Sequence, residues 1–418
     1  MCGFVGGLDA GVGVGNDALV RVGSFFSIGC FWWTPLEANL VSSLFDRSDY
    51  PTLTDAIYLN QASLGLIGQP AVTAMHGWLD NIGRHGNLYL SDDDEVGLLD
   101  TLRVHAARLF ETQAKRVAVL SSASELLSQI PLILRPPKGT KVLSVSSDFP
   151  AITRPWLRLA EQHGYRLEFV DDNPESDLTD DLTARIDDQT FLIAVGHVQY
   201  ATGTLIDIPR LREASAEAGA RLVVDATQSA GALQTGIESW GADAVVSSGY
   251  KWLGGHGGAA VAALGSEFLG EVPAMPGWMG APNPFEFDPT RVLFADDARR
   301  YTQSTMSYVS VAGLTTSIDH ILTNGYLEIQ NHAERLAQML IELVEPYDWH
   351  PFRHLDDPAA SPHIISLHGR DNNQKAVAER LRTANIVCSS RSGRLRVSLA
   401  PYNDENDITA FVAALTGA

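Results

Sequence analysis

Lysine is nearly missing from this chain of 418 residues. Lys115, Lys138, Lys141, Lys251 and Lys375 stand against 25 arginines. The 50 acidic residues outweigh all 30 basic ones and leave a formal charge of −20. That balance argues against a nucleic-acid backbone or an anionic membrane as partner. Cysteine is scarcer still. Cys2, Cys30 and Cys388 have neither metal-ligand spacing nor the numbers for a disulfide framework, so a reducing, cytoplasmic setting is expected. No uninterrupted apolar run reaches membrane-spanning length. No Lys or Arg precedes Arg21, so the basic start of a secretory signal is missing. Residues 1–35 are glycine-rich and then aromatic, from Phe25 to Trp33. They read as a non-catalytic extension, either without fixed structure or laying its aromatic patch on a partner surface.

What is present is a soluble globular composition, long enough for two domains. From Arg116 onward, short apolar runs alternate with helical patterns. The runs are Arg116–Leu120, Lys141–Val145, Arg166–Val170, Thr190–Val195, Arg221–Val224 and Ala242–Val246. Continuous apolar strands separated by helices predict an α/β fold with a mostly parallel sheet covered on both faces. Before them, Asp55–Asn60 reads as a strand, Ser91–Glu95 as an acidic crossing and Leu98–Phe110 as an amphipathic helix. Five of the 20 prolines fall in Pro273–Pro289, which marks a long functional or interface loop. A helix over Tyr326–Val344 and an alternating tail predict a smaller α+β domain. The expected division is an extension over 1–35, a large domain over 36–315 and a small domain over 316–418. The segment 36–70 contributes to the small domain or to the site entrance.

In such a sheet, ligands gather at the carboxyl ends of the strands, and those ends carry chemistry here. Lys251 follows the run Ala242–Val246 and is followed by glycines. A lysine kept dry there favours its neutral amine and can form Schiff bases; an ordinary strand-end lysine would simply point into solvent. Asp225 ends its strand, as helix cap or as functional carboxylate. Ala123 and Ser124 open a helix whose N-terminus favours an anion. Phe149 offers either core packing or a flat surface for a ring. His197 ends a strand, where a lone histidine is more often structural than catalytic. Pyridoxal 5'-phosphate asks for all of these together: a lysine, a carboxylate at the ring nitrogen, a phosphate cradle and a flat neighbour.

The order of SSASE, DFP, HVQYATG, VVDATQSAG and SSGYKWLGG resembles the class V aminotransferase family of fold-type I pyridoxal-phosphate enzymes. That family includes cysteine desulfurases, kynureninase and isopenicillin N epimerase. The resemblance covers about residues 45–415. It implies a phosphate loop at Ala123 and Ser124 and a ring stacked by Phe149. His197 would lie beside the cofactor's rim, Asp225 at its ring nitrogen and Gln228 at its phenolic oxygen. Ser248 and Tyr250 match phosphate ligands, and Lys251 the Schiff-base lysine. Thr305 matches a residue that reaches the phosphate of a neighbouring subunit, which implies a homodimer with a shared site. Arg396 matches the arginine that clamps the carboxylate of an amino-acid substrate.

The chain departs from the desulfurases at their sulfur-accepting loop. Seven residues separate Cys388 from Arg396, and the loop Ser389–Gly393 has no cysteine. Cys388 therefore reads as a buried structural residue. The leading expectation is a carbon–sulfur β-lyase acting on a cysteine S-conjugate, with transamination or decarboxylating oxidative deamination as alternatives. A ligand-sensing domain is the non-enzymatic reading, and no basic DNA-binding segment precedes the fold to support it.

Overall fold

The computed structural model describes residues 41–369 and 374–417. The expected extension over 1–35, with Cys2 and Cys30, lies outside them. Seven strands, all but the edge strand β3 largely buried, make the central sheet: β1 (Val117–Leu120), β2 (Lys141–Val145), β3 (Arg166–Val170), β4 (Thr190–Gly196), β5 (Arg221–Asp225), β6 (Ala244–Ser248) and β7 (Ala260–Leu264). Their spatial order is β1-β7-β6-β5-β4-β2-β3. Every neighbouring pair is parallel except the two that involve β7, which runs antiparallel to both β1 and β6.

The period of two along each strand divides the core into two layers. Val117, Val119, Leu143, Val145, Ile193, Val195, Leu222 and Val224 face the layer under the helices Asp92–Leu109 and Tyr308–Asn324. Ala118, Leu120, Val142, Leu192, Ala194 and Val223 face the layer under Ala123–Leu134 and Pro150–His163. Sequences apolar at every position are what a sheet covered on both faces requires.

A third core belongs to the C-terminal part. Four antiparallel strands lie in the order Ser389–Arg391, Arg394–Ser398, Ile364–Gly369 and Trp349–Pro351. They pack with Leu336, Leu340, Phe411 and Leu415 of the flanking helices. Leu59 belongs to this core, and Ile57–Tyr58 pairs in parallel with Ile386–Val387. The division expected at residue 316 falls inside the continuous helix Tyr308–Asn324, whose buried Val311, Leu314 and Ile318 belong to the large core. The next helix, Tyr326–Val344, carries the change of core: Ile329 packs in the large one and Leu336 in the small one.

The acidic stretch read as a crossing is the first turn of a helix. Ser91 accepts from the Asp94 backbone N–H, and Asp94 answers by accepting from the Ser91 N–H, a capping box. Asp92, Asp93, Asp94 and Glu95 then sit at the positive end of the helix dipole. Among the described residues no helix is long and apolar enough to cross a membrane.

Candidate active site

The carboxyl ends of β4, β5 and β6 open onto one cleft of about 460 Å³, its open mouth included, a size suited to a small-molecule ligand. Ala123, Ser124, Phe149, Asp225, Gln228, Ser248, Tyr250 and Lys251, named from the sequence, all line it.

Lys251 lies in the turn after β6 and is buried. Its Nζ stands 5.3 Å from the centre of the Phe149 ring and 5.7 Å from that of Tyr250. The loop Gln61–Leu66 is strapped over its backbone. Gln61 Nε2 donates to the Lys251 carbonyl at 2.8 Å, and the Gly65 N–H donates to the Tyr250 carbonyl at 2.9 Å. Residue 65 must be glycine, because a Cβ there would sit 2.3 Å from the Lys251 oxygen. Burial brings the Lys251 ammonium down to about 8. Asp225 opposes that shift, while Arg396 and Arg391 add to it. The amine is thus accessible in its neutral, nucleophilic form near neutral pH.

Asp225 is the last residue of β5 and is buried. Burial raises its carboxyl, against two opposing effects, hydrogen bonds from Thr227 and the charge of Lys251. Its Oδ1 accepts from the Thr227 N–H at 2.8 Å. Thr227 Oγ1 in turn accepts from the Ser248 N–H at 3.1 Å, tying β5 to β6. Ala123 and Ser124 form the first turn of the helix capped by Ser122, whose Oγ accepts from the Glu125 N–H at 3.2 Å. Free N–H groups at such a terminus suit a phosphate. The Phe149 ring meets Tyr200 edge-on, centroids 5.5 Å apart. The Gln228 amide is held at both ends: Oε1 accepts from Trp252 at 2.9 Å, and Nε2 donates to the Ala62 carbonyl at 3.1 Å.

Arg396 arrives from the small sheet and is 1% exposed. Nη1 donates to the carbonyl of Tyr200, a cleft residue, at 2.6 Å, and Nη2 donates to Ser63 Oγ at 2.5 Å. Burial and the neighbouring Arg391 bring its guanidinium down to about 10.

Arg396 reaches the cleft residue Tyr200 without itself lining the cleft, and two further expected residues lie elsewhere. His197 is buried, but its ring turns off the cleft and packs against Trp240 at 4.5 Å. Burial holds it at about 3, with His363 pushing the same way. It stays neutral and off the cleft because Gly196 and Val198, its neighbours on the strand, take the positions facing it. Unlike the other expected strand-end residues, His197 therefore faces Trp240 and not the cleft. Thr305 is exposed and does not line this cleft. Cys388 lines a different, apolar cleft with Trp349, Leu381 and Ile386. It is half-buried rather than fully buried, and desolvation pushes its thiol up to about 12, so it holds no ready thiolate.

The structure adds Asp148, a cleft residue that sequence reasoning passed over. Both its oxygens accept from the Gly196 N–H, at 3.2 and 3.0 Å. Glycine is required at 196, since a Cβ there would come within 2.7 Å of Asp148 Oδ1. Burial pushes Asp148 up to about 7, opposed by the Gly196 bond and reinforced by the charge of Asp225. Its signal was its place beside Phe149 in the DFP stretch. Among the described residues no cluster could hold a metal ion.

A buried amine of lowered pKa, a carboxylate on the adjoining strand, an open helix N-terminus and a flat ring over the lysine fit pyridoxal 5'-phosphate. With the seven-stranded sheet they define the fold-type I class of enzymes that use this cofactor. The family model for class-V aminotransferases matches residues 85–411, and the chain belongs to that family. It is a pyridoxal-phosphate-dependent enzyme acting on amino acids. An uncharacterised aminotransferase of Bacillus subtilis, YcbU, is 23% identical over 87% of this chain and 94% of its own length. A kynureninase of Pseudomonas fluorescens is 30% identical over 64% of this chain and 61% of its own. Among solved structures, the cystine C–S lyase C-DES in complex with cysteine persulfide superposes with a TM-score of 0.79. It is 19% identical and covers 88% of this chain and 99% of its own.

Proposed function

We propose that the enzyme is a carbon–sulfur β-lyase that releases a thiol, pyruvate and ammonia from a cysteine S-conjugate. The observation that carries this reading is the pairing of a complete lysine–carboxylate–arginine set with a cleft that offers no thiol. Cys388, the described cysteine, belongs to another cavity and has its thiol pushed up to about 12. A lyase needs no sulfur acceptor on the protein. The kindred cystine C–S lyase indicates that the fold can host such chemistry.

Pyridoxal phosphate supplies, when bound, an aldehyde that links to amines and a ring that takes up the electron pair released at Cα. The chain does the rest. Arg396 holds the α-carboxylate in a planar, two-point grip and so sets which Cα bond faces the ring. Lys251, once its amine is free, stands beside the cleft as a base of pKa about 8 and takes the Cα proton. Asp225 would face the ring nitrogen and favour its protonated form, as a buried carboxylate does for a neighbouring cation. Breaking the Cβ–S bond sends its electron pair off with sulfur, and hydrolysis of the three-carbon remainder gives pyruvate and ammonia. The first turn at Ala123 and Ser124, with Ser248 and Tyr250, would hold the phosphate. Thr305, exposed on its own subunit, completes the phosphate site of a second copy in a homodimer.

The test is to supply S-alkyl-L-cysteines to the holoenzyme and quantify thiol, pyruvate and ammonia. Equimolar release of the three is the expected result. Consumption that yields a keto acid retaining the S-alkyl group, or carbon dioxide and an aldehyde, would overturn it in favour of transamination or decarboxylation. Cleavage of L-kynurenine alone would likewise overturn it.

A further inference from the structure

One cation near enough to act on Lys251 has no task in the chemistry above. Arg391 ends the strand Ser389–Arg391, which folds back on Arg394–Ser398 through Ser392 and Gly393. Its Nη1 donates to the Ser390 carbonyl at 2.8 Å, and its Nη2 donates to Ser63 Oγ at 3.3 Å. The same hydroxyl oxygen accepts from Arg396 Nη2 at 2.5 Å. Two guanidiniums therefore converge on one neutral group, on the loop strapped over Lys251. Every protein acceptor they have is uncharged: a hydroxyl and the carbonyls of Ser390 and Tyr200. Neither makes an ion pair among the described residues. The buried Arg396 Nε has no partner at all.

Holding like charges together without a counter-ion is unfavourable, and more so at a partly buried place. Here the repulsion registers on both neighbours, because Arg391 lowers the pKa of Arg396 and that of Lys251. In a chain of net charge −20, with acids available almost everywhere, an arginine pair left unneutralised is a receptor for anions brought by the ligand. The α-carboxylate of an amino acid neutralises one of the two charges and leaves one over. Arg396 is buried and Arg391 half-buried, so Arg391 is the member nearer solvent, where the far end of a substrate side chain would lie. Arg394 does not share this duty, since its guanidinium lies over the Phe352 ring, 4.4 Å from the centroid.

We infer that the substrate's side chain ends in a second anionic group, a carboxylate, sulfinate or sulfonate, and that Arg391 binds it while Arg396 holds the α-carboxylate. The inference rests on the amino-acid reading of the cleft and narrows its substrate to acidic conjugates. It makes Arg391 a residue that selects by charge rather than one that takes part in bond breaking.

The experiment compares S-carboxymethyl-L-cysteine with its neutral isostere S-carbamoylmethyl-L-cysteine on the holoenzyme. Apparent Kd is read from the change in cofactor absorbance within the first turnover. A guanidinium–carboxylate contact predicts a preference for the acid of about tenfold or more. In Arg391→Gln that ratio should fall to within about threefold, and Arg391→Lys, which keeps the charge but not the fork, should recover part of it. A wild-type ratio near one overturns the inference whether or not the variants fold. So does a ratio that survives in Arg391→Gln, or a variant that weakens both ligands equally. Pyruvate followed in the same samples separates this from the lyase reading. A strong preference without pyruvate contradicts the lyase and leaves the anion site standing, and pyruvate from both compounds without a preference does the reverse.

Discussion

At the scale of single residues, the site is a set of buried charges that moderate one another. Lys251 is drawn down by burial and held from falling further by Asp225, while Asp148 is raised to about 7 from an ordinary 3.8. Folding therefore leaves Asp148 binding a proton across a pH range in which the unfolded chain has lost it. Its contribution to stability is full below about 4 and is lost as pH rises through about 7. In cofactor-free protein, the stability of wild type relative to Asp148→Asn should decline across that window. Denaturant melts at pH 5, 6, 7 and 8 measure it, and a constant difference would contradict the assignment. Lys251, Asp225, Phe149 and Arg396 were legible in the sequence because each sits in a motif whose spacing constrains its place. Asp148 was not, since an Asp just after a strand, two residues before a Pro, looks like any turn residue; only the fold aims it at Gly196. His197 shares a motif with the cleft residues Gly196 and Val198, but alternation of the extended chain turns its side chain to the other face.

At the scale of elements, the cleft depends on helix ends and on one strap. The terminus at Ala123 is fixed by the Ser122 cap, and loss of such a cap costs about 1 kcal/mol. Ser122→Ala should lower the unfolding free energy by that amount, seen as a lower denaturation midpoint at an unchanged m-value. It should also weaken retention of pyridoxal phosphate on dialysis, because the capped turn is the one proposed to face the phosphate. A lower midpoint with cofactor retention untouched would remove that helix from the phosphate site. Most parallel strands could be read from their apolar runs, but β7 could not. Its sequence, Ala260-Val261-Ala262-Ala263-Leu264, is poor in strand-forming residues, and pairing on both sides overrides that preference. The capping box at Ser91 was present in the sequence as Ser-x-x-Asp. Its run of acids masked it, because acids at a helix start and acids in a loop look the same until the dipole is placed.

At the scale of the whole molecule, the two parts share their duties. The large domain supplies lysine, carboxylate and helix terminus, the small one supplies arginine, and the loop Gln61–Leu66 joins them across the mouth. Thr305 is exposed, and the proposed homodimer gives it a place at the phosphate of a second copy. The enzyme should therefore sediment at twice its 45.2 kDa chain mass. Mixing two inactive variants, Lys251→Ala and Thr305→Glu, under conditions of subunit exchange should restore part of the activity. Each hybrid dimer regains one intact site when Lys251 and Thr305 of one site come from different chains. A mixture as inactive as its parts would make each site self-contained. The boundary between the domains could not be placed from sequence. The helix Tyr326–Val344 serves both cores along one stripe, and periodicity does not record which core a residue enters.

The claim on which the rest depends is that Lys251 carries the cofactor. Purified wild type reconstituted with pyridoxal phosphate should absorb at roughly 410–430 nm, as a lysine-bound cofactor does. Borohydride should fix the label on the peptide containing Lys251, and Lys251→Ala should show neither the band nor the label. A band and a reducible link that persist in Lys251→Ala would place the cofactor on another lysine and contradict the account.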